Sequence, residues 1–330
     1  MSNTAASTAS SLPSLSDLQE AAQLVGRYVP ATPQFRWPLL AREAGCDLWI
    51  KHENHTPLGA FKIRGGIVYM DWLRRAHPEV TGVITATRGN HGQSIAFAAA
   101  QFGLQAVVVV PHGNSREKND AMRSLGAELI EHGETFHDAD HHAQELAVSR
   151  KLHPVSAFDQ LLVRGVGTYG LELFAAVADL DFVYIAIGWG SGACGLAAAR
   201  NALGLKTRII GVVSNQAPSY ARSFARGEIV EVPPQTRIAD GVAIARPHPG
   251  AFELVRNQIE RIVEVSDEAV EEAMRTYFRC THNVAEGAGA ASLAAVLQER
   301  ESLAGKKVAA ILTGGNVDTD VFARVLSAGK

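Results

Sequence analysis

The sequence predicts an α/β protein with open, mostly parallel twisted sheets flanked by helices. Three observations carry this. Short β-branched runs alternate with longer Ala-rich stretches, the pattern of βαβ units. Three glycine-rich polar turns follow strand C-termini, where open α/β sheets bind their ligands. At 330 residues the chain is long for one simple core and suits two lobes or one large α/β unit.

The elements follow in order. "GVITAT" (82–87) reads as a buried strand and "GQSIAFAAAQFG" (92–103) as a helix ending at Gly103. "QAVVVVP" (105–111) is a strand stopped by proline. "SREKNDAMRSLGA" (115–127) reads as an amphipathic helix, with "ELIEHG" as the next strand. "FVYIAIG" (182–188), "RIIGVVS" (208–214) and "VAAILTGG" (308–315) are three further strands. Between them lie the helical stretches "GLAAARNAL" (195–203) and "SDEAVEEAMRTYFRC" (266–280). The latter opens on Ser266 as N-cap, with acidic residues in its first turn. "PPQTRIADGVAIARPHPG" (233–250) reads as a long loop, and long loops in compact domains are often functional.

Apolar residues make up 47% and charged residues 20%, so the composition is that of a soluble globular protein. A net charge of -3 gives no field that favours nucleic acid or an anionic membrane. No apolar run reaches the roughly 20 residues that span a bilayer. "MSNTAASTASSL" has neither a basic nor an apolar region of a signal peptide, and residues 1–15 read as a disordered tail. Cys46, Cys194 and Cys280 are far apart and odd in number, which fits a reducing cytoplasm and makes no disulfide framework or zinc site.

The clearest turn is "AIGWGSGACG" (186–195). A strand runs into Gly188, Gly190 and Gly192, and a helix follows. Backbone N–H groups and the helix N-terminus suit an anion there, and Ser191 adds a hydroxyl. Tight strand–helix packing is the alternative. The spacing departs from G-x-G-x-x-G and lacks the Lys-Ser/Thr ending of a P-loop, so the phosphate is not expected to be a nucleotide's. In "TATRGNHGQS" (85–94), Thr87, Arg88, Gly89, Asn90 and His91 form either an anion nest or a polar cap with Asn90 in the cap role. "LTGGNVD" (312–318) is the third turn. "DADHH" (138–142) reads as a solvated helix face rather than a metal site. There is no H-E-x-x-H, C-x-x-C or G-x-S-x-G.

Lys62 raises a separate question, because it lies in a Gly-flanked, largely apolar segment, "HTPLGAFKIRGG" (55–66). It is either a snorkelling surface lysine or one held for chemistry. "ENHTPLGAFKIRGG" resembles the lysine segment of the serine/threonine dehydratase group of fold-type II (tryptophan-synthase-β-like) pyridoxal-phosphate enzymes. "TRGNHGQS", "GWGSGACG", "IADGVAIARP", "AEGAGAAS" and "LTGGNVD" match the family's other landmarks in order, from about Thr32 to Asp318. The resemblance implies two α/β lobes with pyridoxal 5'-phosphate between them. It implies a large lobe of 16–69 plus 165–330 and a small inserted lobe, 70–164, that closes on substrate. Lys62 would bond the cofactor and act as base at Cα, with Phe61 against its ring. Asn90 would meet its 3'-oxygen. Gly188, Trp189, Gly190, Ser191 and Gly192 would cradle its phosphate. Thr313 would meet the ring nitrogen, and Glu286 would lie near the ring. Thr87, Arg88, Gly89, Asn90 and His91 would hold the substrate carboxylate, and Gly241 would line the cavity.

The implied activity is α,β-elimination on an L-β-hydroxy amino acid, serine or threonine by default, giving a 2-oxo acid and ammonia. A cytoplasmic homodimer with a small-molecule amino-acid substrate is expected, without nucleic acid or membrane. The chain departs from the family at several places. Arg88 replaces a small residue that serves racemases as second acid, which disfavours racemisation and leaves phenylserine or 3-hydroxyaspartate as alternative substrates. Arg88 either pairs with a substrate carboxylate or points away to a structural acid. Ala60 stands where serine is common, and Trp189 where glycine is. Val213 and Ser214 stand where metal-binding members carry an acid, so no metal is expected. No regulatory domain is expected. An NAD(P)-dependent oxidoreductase using the "GWGSG" turn and a non-catalytic amino-acid sensor are the other classes.

Overall fold

The computed structural model describes residues 11–328. Most of the tail expected over 1–15 lies outside them. Its last residues differ from that expectation, because Ser14 caps a helix that begins at Leu15. The Ser14 hydroxyl accepts from the Asp17 amide while the Asp17 carboxylate accepts from the Ser14 amide, a reciprocal capping box.

That helix is α1 (Leu15–Val25). β1 (Gln34–Phe35), α2 (Pro38–Ala44), β2 (Asp47–His52) and α3 (Lys62–Ala76) follow. The next segment holds β3 (Gly82–Ala86), α4 (Asn90–Gln101), β4 (Gln105–Val110), α5 (Arg116–Ser124), β5 (Glu128–Glu131), α6 (Phe136–Ser149) and the two-residue β6 (His153–Pro154). Then come α7 (Gln160–Ala176), β7 (Phe182–Ala186), α8 (Ser191–Ala202), β8 (Arg208–Ser214) and α9 (Ser219–Arg226). The chain continues through α10 (Pro249–Gln258), β9 (Arg261–Val265), α11 (Asp267–Thr281), α12 (Gly287–Gln298), β10 (Lys307–Leu312) and α13 (Thr319–Ser327). Ser266 caps α11 by accepting from the Ala269 amide, as the sequence predicts. The segment 233–250 is irregular except for a 3-10 turn, Asp240–Val242, and the start of α10 at Pro249.

The strands form two sheets. One has six strands in the order β1-β2-β10-β7-β8-β9, all parallel except β1 against β2. The other has four parallel strands in the order β5-β4-β3-β6. The α/β class with parallel sheets is therefore as the sequence predicts. Strand side chains alternate between faces, and both faces of each sheet are covered. In the larger sheet Val308, Ala310 and Leu312 pack with α2, α11 and α12, while Ala309 and Ile311 pack with α7, α8 and α10. In the smaller sheet Val108 and Val110 join the core under α3 and α4, and Val107 and Val109 join the one under α6. Two-sided burial is why these strands read as continuous apolar runs. Among the described residues, no helix is long and apolar enough to cross a membrane.

Candidate active site

The turns singled out in the sequence leave the C-terminal ends of β3, β7 and β10. Lys62 is brought to them by backbone pairing. The Gly315 amide donates to the Gly59 carbonyl at 2.9 Å, and the Phe61 amide donates to the Thr313 carbonyl at 3.1 Å. Ala60 and Gly314 form an antiparallel bridge between these two bonds. The segment before α3 is thus fastened to the chain leaving β10, and Lys62 becomes the first residue of α3.

Lys62 is half-buried as a residue, but its amine lies deep. Burial alone lowers its pKa to about 8. The amine donates to Ser191 Oγ at 3.1 Å. Ser191 is the first residue of α8, after Gly190 in the left-handed conformation at φ 97°. A Cβ on Gly188 would collide with the Gly241 carbonyl, so the exposed Gly241 meets the glycine turn through its backbone. Phe61 lies near the same turn: a Cβ on Gly192 would stand 3.5 Å from its ring edge. The Gly192 carbonyl is held by the Tyr169 hydroxyl at 2.8 Å. Trp189 is half-buried and its ring packs on Phe136, the first residue of α6, at 5.5 Å between centroids.

The turn after β3 comes from the other sheet. Thr87 is buried, and its hydroxyl accepts from the Gly89 amide at 3.0 Å. That amide of the expected nest is therefore spent internally. The opening amides of α4 have no partner within their own helix. Gly89, not Asn90, holds the cap position. Asn90 is the first helical residue, and its amide donates to Glu286 Oε1 at 2.6 Å. Asn316 Nδ2 donates in turn to Asn90 Oδ1 at 2.8 Å. The cap role for Asn90 is thus replaced by a side-chain link to α12, because Glu286 is the N-cap residue of that helix. His91 is buried with Nε2 unpartnered. Burial, reinforced by the nearby Lys62, lowers its pKa to about 3, so it is a neutral imidazole at any ordinary pH. Arg88 is exposed and, among the described residues, makes no ion pair or side-chain hydrogen bond.

Thr313 is buried directly after β10, beside the Phe61 amide. Lys118 was missed from the sequence. It lies in α5, nearly buried, and donates to Asp240 Oδ2 at 2.8 Å and Glu286 Oε2 at 3.2 Å. Burial opposes the ammonium, but the two carboxylates outweigh it and raise its pKa. Burial pushes the Glu286 carboxyl upward while Lys118 pulls it down. On balance the Glu286 carboxyl stays raised. "SREKNDAMRS" gave no local signal for this, since its partners lie 122 and 168 residues away.

Residues 25–314 match the family described as pyridoxal-phosphate dependent enzymes. The chain belongs to this family. It is 33% identical over 318 residues to an L-threonine ammonia-lyase of Thermotoga maritima, covering 96% of this chain and 78% of that protein. Among solved structures, the processed form of threonine deaminase isoform 2 from Solanum lycopersicum superposes with a TM-score of 0.86 at 28% identity, covering 96% of this chain and 94% of that one. Maize serine racemase superposes with a TM-score of 0.89 at 26% identity, covering 97% and 98%. The family membership and the dehydratase-group resemblance read from the six motifs stand. So does pyridoxal phosphate as cofactor, which makes the chain an enzyme of that chemistry.

The residues of this family member fit such a cofactor. A deep amine of lowered pKa can bond its aldehyde. The glycine turn at the start of α8 leaves room for a phosphate at a helix N-terminus. Among the described residues the buried Tyr220 hydroxyl has no partner, and it lies where a Cβ on Gly190 would come within 2.9 Å. A spare hydroxyl donor beside a glycine cradle suits a phosphate-bearing ligand.

Proposed function

We propose that this protein is a dehydratase, or ammonia-lyase, for an L-β-hydroxy amino acid of the threonine/serine type, releasing a 2-oxo acid and ammonia. The observation that carries this is the Lys62 amine, buried, of lowered pKa, and 3.1 Å from Ser191 Oγ at the head of α8. The Thermotoga maritima and Solanum lycopersicum relatives, named as a threonine ammonia-lyase and a threonine deaminase, support the substrate class.

Pyridoxal phosphate, when bound, supplies the electron sink that makes the α-proton of an amino acid removable. Lys62 would bond it and, once freed, take that proton; a pKa of about 8 keeps a useful fraction of the amine neutral near pH 7. Ser191 and the opening amides of α8 would hold the phosphate, with Gly188, Trp189, Gly190 and Gly192 around it. Phe61 would lie against the ring and Asn90 would meet its 3'-oxygen, with Glu286 near the ring orienting the Asn90 amide. Thr313 would meet the ring nitrogen, and a hydroxyl there does not enforce a protonated ring, which suits prompt loss of a β-substituent over a long-lived carbanion. Thr87, Arg88, Asn90 and His91 would surround the substrate carboxylate, with Gly89 turning the chain and Gly241 at the rim. Loss of the α-proton and of the β-hydroxyl as water leaves an enamine, which tautomerises and hydrolyses to the 2-oxo acid and ammonia.

Arg88 favours a second reading of the substrate. It is exposed and pairs with no acid among the described residues, so a β-hydroxy amino acid with a second carboxylate, such as 3-hydroxyaspartate, or an aromatic one such as phenylserine, has a cation available. The same arginine argues against racemisation, because a guanidinium does not return a proton to the opposite face. We further propose that 16–69 with 165–330 and the inserted 70–164 act as separate closing lobes, and that the enzyme works as a cytoplasmic homodimer.

The test is an absorption spectrum of the purified protein with pyridoxal phosphate, followed by L-serine, L-threonine, phenylserine and 3-hydroxyaspartate in turn. A visible band that changes with one of them, with 2-oxo acid and ammonia in equal amounts, is the expected result. A protein that stays colourless with the cofactor present overturns the assignment.

A further inference from the structure

Lys118 is a buried cation to which the proposed chemistry gives no task. It starts on the smaller sheet's side, in the first turn of α5, and ends between Asp240 and Glu286 on the larger sheet's side. Its aliphatic stem runs beneath the substrate turn. A Cβ on Gly89 would meet Lys118 Cδ at 2.5 Å, so the turn sits directly on this side chain and has glycine where it touches. Glu286 then passes the contact back: its other oxygen accepts from the Asn90 amide at 2.6 Å. Lys118, Glu286, Asn90 and Gly89 therefore form a closed circuit that crosses between the two sheets twice. Two neighbours make the same crossing at the rim. The Ser115 hydroxyl donates to Asp318, and the Thr319 amide donates to Glu117 at 2.9 Å. The first turn of α5 is one place where the smaller sheet's unit is fastened to the larger, and Lys118 is its buried member.

We propose that Lys118 is a positioning residue that locks the Thr87–Asn90 turn against Glu286 and Asp240, so that the opening of α4 and the Asn90 amide are held in register with Lys62 and Thr313. This rests on the cofactor site proposed above. The side chain does not touch the reacting atoms. Its work is to make closure of the smaller unit and assembly of the site one event, since the same ammonium serves both. A buried pair broken on one side leaves an uncompensated charge. Without Lys118, Glu286 has a buried carboxylate and only the Asn90 amide to face it, and Gly89 has lost the surface it rests on.

The experiment compares wild type with Lys118→Met, Lys118→Arg and Asp240→Asn. The first readout is hydrogen–deuterium exchange of residues 87–93 in the apo-protein, the second the dissociation constant for pyridoxal phosphate, and the third kcat and KM for L-serine and L-threonine. For Lys118→Met, exchange in the turn and the cofactor dissociation constant should each rise about tenfold or more, the scale expected when a buried charge partner is removed. kcat should fall by a larger factor than KM rises, and Lys118→Arg should recover part of each loss. Should Lys118→Met fail to fold, Asp240→Asn decides, because it keeps the pair to Glu286 and removes the other anchor. It should show the same changes at smaller size. Exchange, dissociation constant and kcat all within twofold of wild type, with only the melting temperature lowered, would overturn the proposal. A wild type that gains no visible band with the cofactor fails the function reading itself, whereas a coloured, active wild type with an indifferent Lys118→Met fails this proposal alone.

Discussion

Arg64, two residues beyond Lys62, and Arg88, in the turn ahead of α4, carry the same group in opposite circumstances. Arg64 has no exposed surface, and its guanidinium donates to Glu53 at 2.7 Å, to Glu172 at 2.6 Å and to Thr168 at 3.1 Å. Glu172 also takes the buried Lys51 at 2.6 Å, and Thr32 donates to Glu53 at 2.6 Å. Two cations, two carboxylates and two hydroxyls close on one another, and burial of such a set is tolerable because each member is answered. Arg88 is exposed and answers no acid among the described residues. The first arginine fixes where α3, and so Lys62, stands relative to α7 and β2. The second is left exposed in the turn after β3. Charge fully spent reads as architecture, and charge left unspent in a turn leaves room for the recognition role proposed above.

The comparison is broken most directly at Arg64. Arg64→Met leaves Glu53 and Glu172 facing one cation fewer in a buried place, and the expected loss is about 3–5 kcal/mol, measured by denaturant unfolding of the apo-protein. A loss under about 1 kcal/mol would mean that the network is not holding α3 in place. Lys62 lies between the two cases, its amine enclosed and without a carboxylate partner among the described residues. Folded, it sheds its proton near pH 8, against 10.5 for an ordinary lysine. Between these values the unfolded chain holds more protons, so this group makes the apo-protein more stable as pH rises through that window. Unfolding curves at pH 7, 8, 9 and 10 should show the gain in wild type and not in Lys62→Met, which should also lose turnover. The smallest effect on stability belongs to Arg88→Ser, within about 0.5 kcal/mol. Its effect is expected in the ratio of kcat/KM values across serine, threonine, phenylserine and 3-hydroxyaspartate. Unchanged ratios would return Arg88 to the solvated surface.

What the sequence made legible follows the same division. β4, β7, β8 and β10 were read correctly because strands covered on both faces are unbroken apolar runs. β2 was missed because "DLWIKH" carries Lys51 and His52, and the carboxylate that makes Lys51 acceptable inside the protein lies 121 residues away. The two-residue strands β1 and β6 have no periodicity to detect. α8 begins four residues earlier than its Ala-rich stretch suggested, because Ser191, Gly192, Ala193 and Cys194 are already helical behind the Gly190 cap. Of the candidate site residues, Lys62, Ser191, Asn90 and Glu286 were singled out through motif resemblance, and the fold joins them as two hydrogen-bonded pairs. Lys118 and Asp240 stood in segments read as an amphipathic helix and as a loop carrying one of the matched motifs. Their significance is a property of the pairing between sheets, which no local window contains.

The sheet order has a consequence for how the molecule is made. β10 sits in the middle of the larger sheet, between β2 and β7, yet it is the last strand to leave the ribosome. The four strands of the smaller sheet lie within one contiguous stretch of chain and can pair as soon as that stretch is out. The facing edges of β2 and β7 must wait, unpaired, through more than a hundred residues of further synthesis. A nascent chain stopped before Lys307 would therefore own a finished small unit and a larger one split down its centre, with Lys62 on one half and Ser191 on the other. Lys62 and Ser191 come within reach of each other only after Lys307–Leu312 is made, when the central strand slides home and turns two fragments into a single surface.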